Sequence, residues 1–104
     1  MREVTDNTEK SRYELLLDGQ VVGFADYRRH DDHLTVVHTE IDDGHEGEGL
    51  GSLLMRHVLD TADAAGLPVH PACPFTADYI RRHPGDYLHL VPEALREKYD
   101  LPTG

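Results

Sequence analysis

Apolar and polar positions alternate with a period near two over three stretches of the first half of the chain, then recur at spacings of three and four over one longer stretch. From Ser11 to about Leu17 the run SRYELLL is rich in strand formers. Asp18-Gly19 behind it readily supplies the positive backbone angles of a two-residue hairpin turn. QVVGFADYRR then predicts the returning strand, with Val21, Gly23, Ala25 and Tyr27 on one face and Val22, Phe24 and Asp26 on the other. His30-Asp31-Asp32-His33 forms a polar connection, and LTVVHTEI reads as a third strand. Three strands joined by short turns make an antiparallel meander, one face of which needs an apolar cover. The first ten residues are polar and lack periodicity, so a flexible tail is expected over 1–10 and a single domain over 11–104.

The cover is written between Leu50 and Gly66. Leu50, Leu53, Leu54, His57, Val58, Thr61, Ala62 and Ala65 repeat at helical spacing, while Arg56, Asp60 and Asp63 fall on the other side. Gly66 suits a C-terminal cap. Leu67 to Ala72 resumes as a short extended segment, whose prolines prefer a sheet edge or a strand end. Cys73 closes that strand. A second short helix is expected from about Phe75 to His83, with Phe75, Tyr79 and Ile80 on one face and His83-Pro84-Gly85 as its stop. PEALREKYD predicts one more short helix with Pro92 near its start.

Composition narrows the classes. With 104 residues, 38% hydrophobic and 29% charged, the chain has the size of one small domain. No apolar run approaches the roughly 20 residues that span a bilayer, and MREVTDNTEK lacks the apolar stretch of a secretory signal, so a cytoplasmic location is expected. The lone Cys73 excludes an internal disulfide and an all-Cys zinc site, and it suits a reducing compartment. A net charge of -10 repels phosphate backbones and anionic lipid, so neither nucleic acid nor membrane is an expected partner. The 8 histidines invite a metal reading, but His30 and His33 lie in a polar turn, His83 precedes a helix-ending proline and no His-x-x-x-His pair sits on a strong helix, so no metal is expected.

The candidate chemistry starts at DDGHEGEGLGSLL, with glycines at 47, 49 and 51 between the third strand and the long helix. Glycine lets a backbone turn its N–H groups toward a ligand, and a helix start adds partial positive charge, so such a turn can bind a pyrophosphate. The spacing is neither that of the dinucleotide fingerprint nor that of a Walker loop. Taken alone, it equally fits a plain strand-to-helix connection.

In this order, the meander, the glycine loop, the amphipathic helix, the short strand and the second short helix resemble the acetyl-CoA-binding core of the Gcn5-related N-acetyltransferase (GNAT) superfamily. HTEI followed by EGEGLGSLL and then VHPACPFTADYIRRHP is similar to its small single-domain subfamily, the YjdJ-like or N-acetyltransferase-domain-containing-protein-1-like group, over about Tyr13 to Val91. The fold implied is α/β (α+β), a compact GNAT-like domain. It comprises an antiparallel β-meander plus a parallel fourth strand, one main amphipathic helix and short C-terminal helices. Glu46 stands where the superfamily motif has Arg or Gln. Full-size members insert two helices between their first two strands, whereas Asp18-Gly19 simply closes a hairpin. An exposed groove or a dimer neighbour would then have to complete the acceptor site, and the chain is expected as monomer or homodimer.

By this resemblance the cofactor is acetyl-CoA. Its pyrophosphate would lie on the backbone N–H groups of Gly47, Glu48, Gly49, Leu50, Gly51 and Ser52, its pantetheine arm along Thr39 to Ile41, and its 3′-phosphate near Arg81. Moving an acetyl group from a thioester to an amine needs a base for the amine proton and an acid for the departing thiolate. His38 and Glu40, two residues apart on one strand face, are candidate bases, and Tyr79 a candidate acid. Each also fits a purely structural role. The resemblance further makes Cys73 a candidate nucleophile, able to take the acetyl group and pass it on, against its reading as a small buried hydrophobe. The function expected is an acetyl-CoA-dependent N-acetyltransferase acting on an amine, with a cationic acceptor favoured by the acidic surface. The alternative is a non-catalytic CoA-binding sensor or interaction module.

Overall fold

A computed structural model of the chain describes residues 1–42, 44 and 49–103. Strands β1 (Arg2–Asn7), β2 (Arg12–Leu17), β3 (Gln20–Arg29), β4 (Leu34–Ile41) and β5 (Val69–Pro71) form one sheet in chain order. The first four are antiparallel neighbours, and β5 runs parallel to β4. The helices are α1 (Leu50–Ala64), α2 (Pro74–Arg82), α3 (Pro84–Tyr87) and α4 (Glu93–Arg96), with a 3₁₀ turn at Leu88–Leu90. The expected α+β architecture is present, down to the hairpin turn where Asp18 and Gly19 have φ of 52° and 84°.

The polar start is not outside the sheet. Arg2–Asn7 pairs along the whole of β2, and Asp6 accepts a 2.6 Å hydrogen bond from the Tyr27 hydroxyl. An edge strand facing water on most sides needs little apolar patterning, so its sequence carries no strand signal. At the opposite edge, Pro71 sits in β5, where a missing N–H costs no ladder bond.

Two bulges reset which residues point inward. Leu15 pairs with Gly23 and Leu16 with Val21, so Val22 is an extra residue in β3. Val22 therefore joins Gly23, Ala25 and Tyr27 in the core, and Val21 turns outward, opposite to the expected faces. Asp26 likewise pairs with His38 and Tyr27 with Val36, which makes Val37 the extra residue of β4. Beyond it, Thr39 and Ile41 follow Ala25 and Gly23 onto the covered face, while His38 and Glu40 follow Asp26 and Phe24 onto the other.

Helix α1 covers the sheet with a stripe rotated from the expected one. Its buried residues are Leu50, Leu54, Met55, Val58, Leu59 and Ala62, whereas His57, Thr61 and Ala65 remain exposed. Met55 and Leu59 are added because α1 also packs sideways on α2, where Thr76 Oγ1 lies 3.2 Å from Met55 Sδ. Helix α2 buries Thr76, Ala77, Tyr79 and Ile80, while Phe75 keeps 39% of its surface exposed. Pro84 starts α3 at its first position, so the expected stop is also a restart. The shortest dimension, 19 Å, fits one sheet plus one helical layer of about 10 Å each, and leaves the second sheet face uncovered.

Candidate functional site

Strands β4 and β5 pair over only three residues, Leu34 to Val36 against Val69 to Pro71. The last rung is the Cys73 N–H donating to the Val36 carbonyl at 2.9 Å. β4 continues to Ile41, held by β3 alone, because β5 stops at Pro71 and the chain turns into α2. The backbone edge of Val37 to Ile41 that would face a longer β5 therefore has no strand against it among the described residues. The bulge at Val37 falls where the two strands part, and it twists the freed end of β4.

The start of α1 faces this opening. Gly49 is its N-cap with φ 74° and ψ 10°, a left-handed conformation that glycine adopts without the Cβ penalty. The Gly49 carbonyl takes the first helical bond from Leu53 N–H at 3.1 Å. No described side chain caps the helix, and no acidic residue stands in its first turn. The N–H groups of Leu50, Gly51 and Ser52 thus point out of the helix, and among the described residues nothing compensates the positive end of its dipole. Leu50 anchors this turn with a side chain 1% exposed, and Ser52 is half-buried beside it. A Cβ on Gly51 would stand 2.6 Å from Phe75 Cζ, so this glycine lets the α2 start close on the α1 start. Gly47 and Glu48, and the Glu46 departure from the family motif, lie outside the described residues.

Cys73 is the N-cap of α2 and is 3% exposed, its Sγ 3.5 Å from Thr39 Oγ1. Thiol and hydroxyl therefore meet at the inner lip of the opening. His38 and Glu40 occupy the outer lip on the uncovered sheet face, with Nε2 and Oε1 3.6 Å apart and both side chains more than half exposed. The His38 ring also lies 6.1 Å from that of Phe24. Ile41 packs inward toward Gly23, where an added Cβ would come within 2.7 Å of its Cδ1.

Tyr79 and Arg81 are placed elsewhere. The Tyr79 ring packs 4.4 Å from His83 and 5.9 Å from Tyr87, centroid to centroid. Its hydroxyl neighbours the Arg56 guanidinium, whose pKa that contact raises. Arg81 is tied by Nε to the Asp100 carbonyl at 2.8 Å, by one terminal nitrogen to the Tyr99 carbonyl at 3.0 Å, and by the other to Asp78 at 3.2 Å. It stands six residues beyond Phe75, about 9 Å along α2, and its donors clamp the end of the chain. Neither Phe75 nor the β4 bulge was singled out from the sequence as part of this site.

An uncapped glycine-led helix start, an unpaired strand end and a thiol between them meet in a chain that matches a family described as GCN5-related N-acetyl-transferase over residues 12–90. The chain belongs to the GCN5-related N-acetyltransferase family. It is also 41% identical over 51 residues to the streptothricin acetyltransferase of Streptomyces lavendulae, an alignment spanning 47% of this chain. The chain covers only 27% of that relative's length. In this GNAT chain, the opening, the α1 start and the Cys73–Thr39 pair form the candidate site. No helix among the described residues is long and apolar enough to cross a membrane.

Proposed function

We propose that this GNAT domain moves an acetyl group from acetyl-CoA to an amine at the opening between β4 and β5. The observation that carries the reading is that the free strand edge, the uncapped α1 start and the buried thiol converge on one gap. The cofactor supplies the acetyl group as an activated thioester. N–H groups of Gly49, Leu50, Gly51 and Ser52 hold its pyrophosphate, an arrangement suited to a protein of net charge -10 because it uses dipoles instead of cations. Main-chain groups from Thr39 to Ile41 hydrogen-bond the pantetheine amides, which the unpaired edge of β4 favours.

His38 and Glu40 stand exposed on the uncovered sheet face, so the acceptor approaches from there. There His38 and Glu40 take the proton that the attacking amine must lose. Cys73 accepts the acetyl group as a thioester with loss of the CoA thiol, then yields it to the amine and regains its proton, while Thr39 Oγ1 stays in contact with the sulfur. Tyr79, lying against His83 and Arg56, shapes the second helix and serves as acid only if the departing thiol reaches its hydroxyl. The relative's name gives streptothricin as its acceptor. For this chain, the acidic surface favours a cationic amine.

The test is acetyl-CoA turnover against a panel of amines and basic peptides. Wild type should turn over, and Cys73→Ala should abolish turnover while CoA still raises thermal stability, by about 2.7 kcal/mol at 100 times its dissociation constant. Unchanged turnover in Cys73→Ala would assign the chemistry to direct transfer with His38 and Glu40. Absence of both a CoA shift and turnover in the wild type would overturn the reading.

A further inference from the structure

The sheet ends at β1, and among the described residues no strand lies against its outer side. Two hydrogen bonds fix which of its backbone groups face outward. The Asp18 N–H donates to the Met1 carbonyl at 3.0 Å, which turns Met1 toward β2, and the Tyr27 N–H donates to the Ser11 carbonyl at 2.9 Å, which turns Ser11 toward β3. Hydrogen-bonded pairs recur at every second residue of an antiparallel ladder, so Glu3, Thr5 and Asn7 bond to Leu16, Glu14 and Arg12 of β2. The N–H and C=O groups of Arg2, Val4 and Asp6 therefore point away from the sheet. Helix α1 packs chiefly on β2, β3 and β4 and leaves this edge open. Such an edge is a template for one more strand.

A closed two-fold dimer would bring the same strand of a second copy alongside in antiparallel sense. Its ladder needs outward residues opposite outward residues. Among the registers that satisfy this, only the one with Val4 opposite Val4 engages all three outward residues of both strands. That register sets Arg2 opposite Asp6 twice and Glu3 opposite Thr5. A slip of two residues in one direction sets Glu3 against Glu3, and a slip in either direction loses both Arg2–Asp6 pairs. Opposite charges across a ladder stabilise it and like charges destabilise it, so the charges that deter a foreign strand suit this one register. Neither Arg2 nor Asp6 makes an ion pair within the chain among the described residues. Asp6 Oδ1 takes the Tyr27 hydroxyl, and Oδ2 accepts no bond from a described residue. Val4 is half-buried and packs against the core, so the Val4–Val4 contact would carry that core across the axis.

We propose that the outer edge of β1 is an interface for a second copy of this chain, centred on Val4 and joining the two sheets into one. The β4–β5 openings would then stand about eight strand spacings apart, roughly 40 Å. The neighbour does not complete the acceptor site, and the proposal stands whether or not the acetyl-transfer reading does.

Sedimentation velocity of the full chain from about 1 μM to about 1 mM should show a concentration-dependent dimer. Amide hydrogen exchange followed by NMR should show the Val4 and Asp6 N–H groups slowing as it forms, with Thr5 protected throughout. Val4→Pro removes an N–H that bonds nothing within the chain, so it should abolish the dimer and keep the fold of the monomer. Arg2→Asp and Asp6→Lys each set like charges across the axis and should weaken self-association by about tenfold or more. An equimolar mixture of those two variants makes every such pair opposite again and should restore the dimer. A chain that stays monomeric to about 1 mM would leave the edge to a strand of another sequence and overturn the proposal. Unchanged exchange at Val4 and Asp6 in a dimer, wild-type association in Val4→Pro, or no recovery in the mixture would each overturn it as well.

Discussion

Gly51→Ala tests how the two helix starts close around the candidate site. In an open helical position the change would stabilise, because alanine exceeds glycine in helix propensity by up to about 1 kcal/mol. Here the new methyl would stand 2.6 Å from Phe75 Cζ, well inside contact distance, so the ring or the α2 start must move. Such overpacking costs about 1–3 kcal/mol. Phe75 is 39% exposed and can swing partly into solvent, which holds the cost to about 1.5–2 kcal/mol and, after the gain in helix propensity, the net loss to about 1 kcal/mol. In a Phe75→Ala background the obstacle is gone, and the same substitution should stabilise by about 0.5–1 kcal/mol. The coupling of roughly 1.5–2 kcal/mol exceeds the 0.3–0.5 kcal/mol scatter of independent sites. Urea denaturation followed by far-ultraviolet circular dichroism measures all four proteins, since the chain has no Trp to report by fluorescence. The m-value should stay constant across them. Equal stabilisation by Gly51→Ala in both backgrounds would refute the packing argument and leave Gly51 to be explained by the ligand.

Leu54 is fully buried between α1 and the sheet, so Leu54→Ala should lower unfolding free energy by about 2–5 kcal/mol in the same assay. His70 has its pKa pulled down first by burial and then by His33, whose ring stacks on it at 3.9 Å while His30 stacks on His33 at 4.2 Å. Asp32 pulls the other way, and Lys98 adds to the depression. A depressed histidine contributes stability that is present above its unfolded pKa of about 6.5 and lost as pH falls through the folded value. His70→Gln should therefore flatten the acid-side loss of stability, and an unchanged slope from about pH 7 to 5 would count against the stack. Tyr87 is shifted upward by burial and then by its 2.9 Å hydrogen bond to Asp60. Its contribution is present below about pH 10 and lost as pH rises toward the folded value, so Tyr87→Phe should flatten the alkaline decline in urea midpoints.

Most of the architecture could be read from residue patterns because the patterns were local. Asp18-Gly19 requires positive φ at both positions and obtains it, Gly66 caps α1 at φ 66°, and the spacing from Leu50 onward forces a helix. The two strand bulges were not legible, and both fall on a Val-Val pair, Val21-Val22 and Val36-Val37. Either valine of a pair can serve as the core residue, so the pattern does not show which one is extra. The ambiguity propagates along the strand. Simple alternation from Leu34 and Val36 would send His38 and Glu40 under the helices and turn Thr39 outward, the reverse of what is observed. Strand β1 was missed for the opposite reason, since an edge strand can be polar and still complete its ladder.

At the site, what could be read was chemistry near in sequence, and what could not was contact made by tertiary pairing. His38 and Glu40 lie two residues apart on one strand face, with Nε2 and Oε1 3.6 Å apart. Cys73 and Thr39 are 34 residues apart and meet only because β5 pairs with β4 for three residues and then stops. Had β5 run two residues further, the strand edge would have been filled and the thiol carried past Thr39. The shortness of β5 thus opens the gap and aims the cysteine at once, and its cause lies in the sequence at Pro74, which favours extended backbone at Cys73 and sits at the first position of the helix that follows. Arg81, put forward because an acidic chain needs local cations to hold an anionic cofactor, donates to the Asp100 and Tyr99 carbonyls at the end of the chain, a tertiary contact that the sequence pattern does not show.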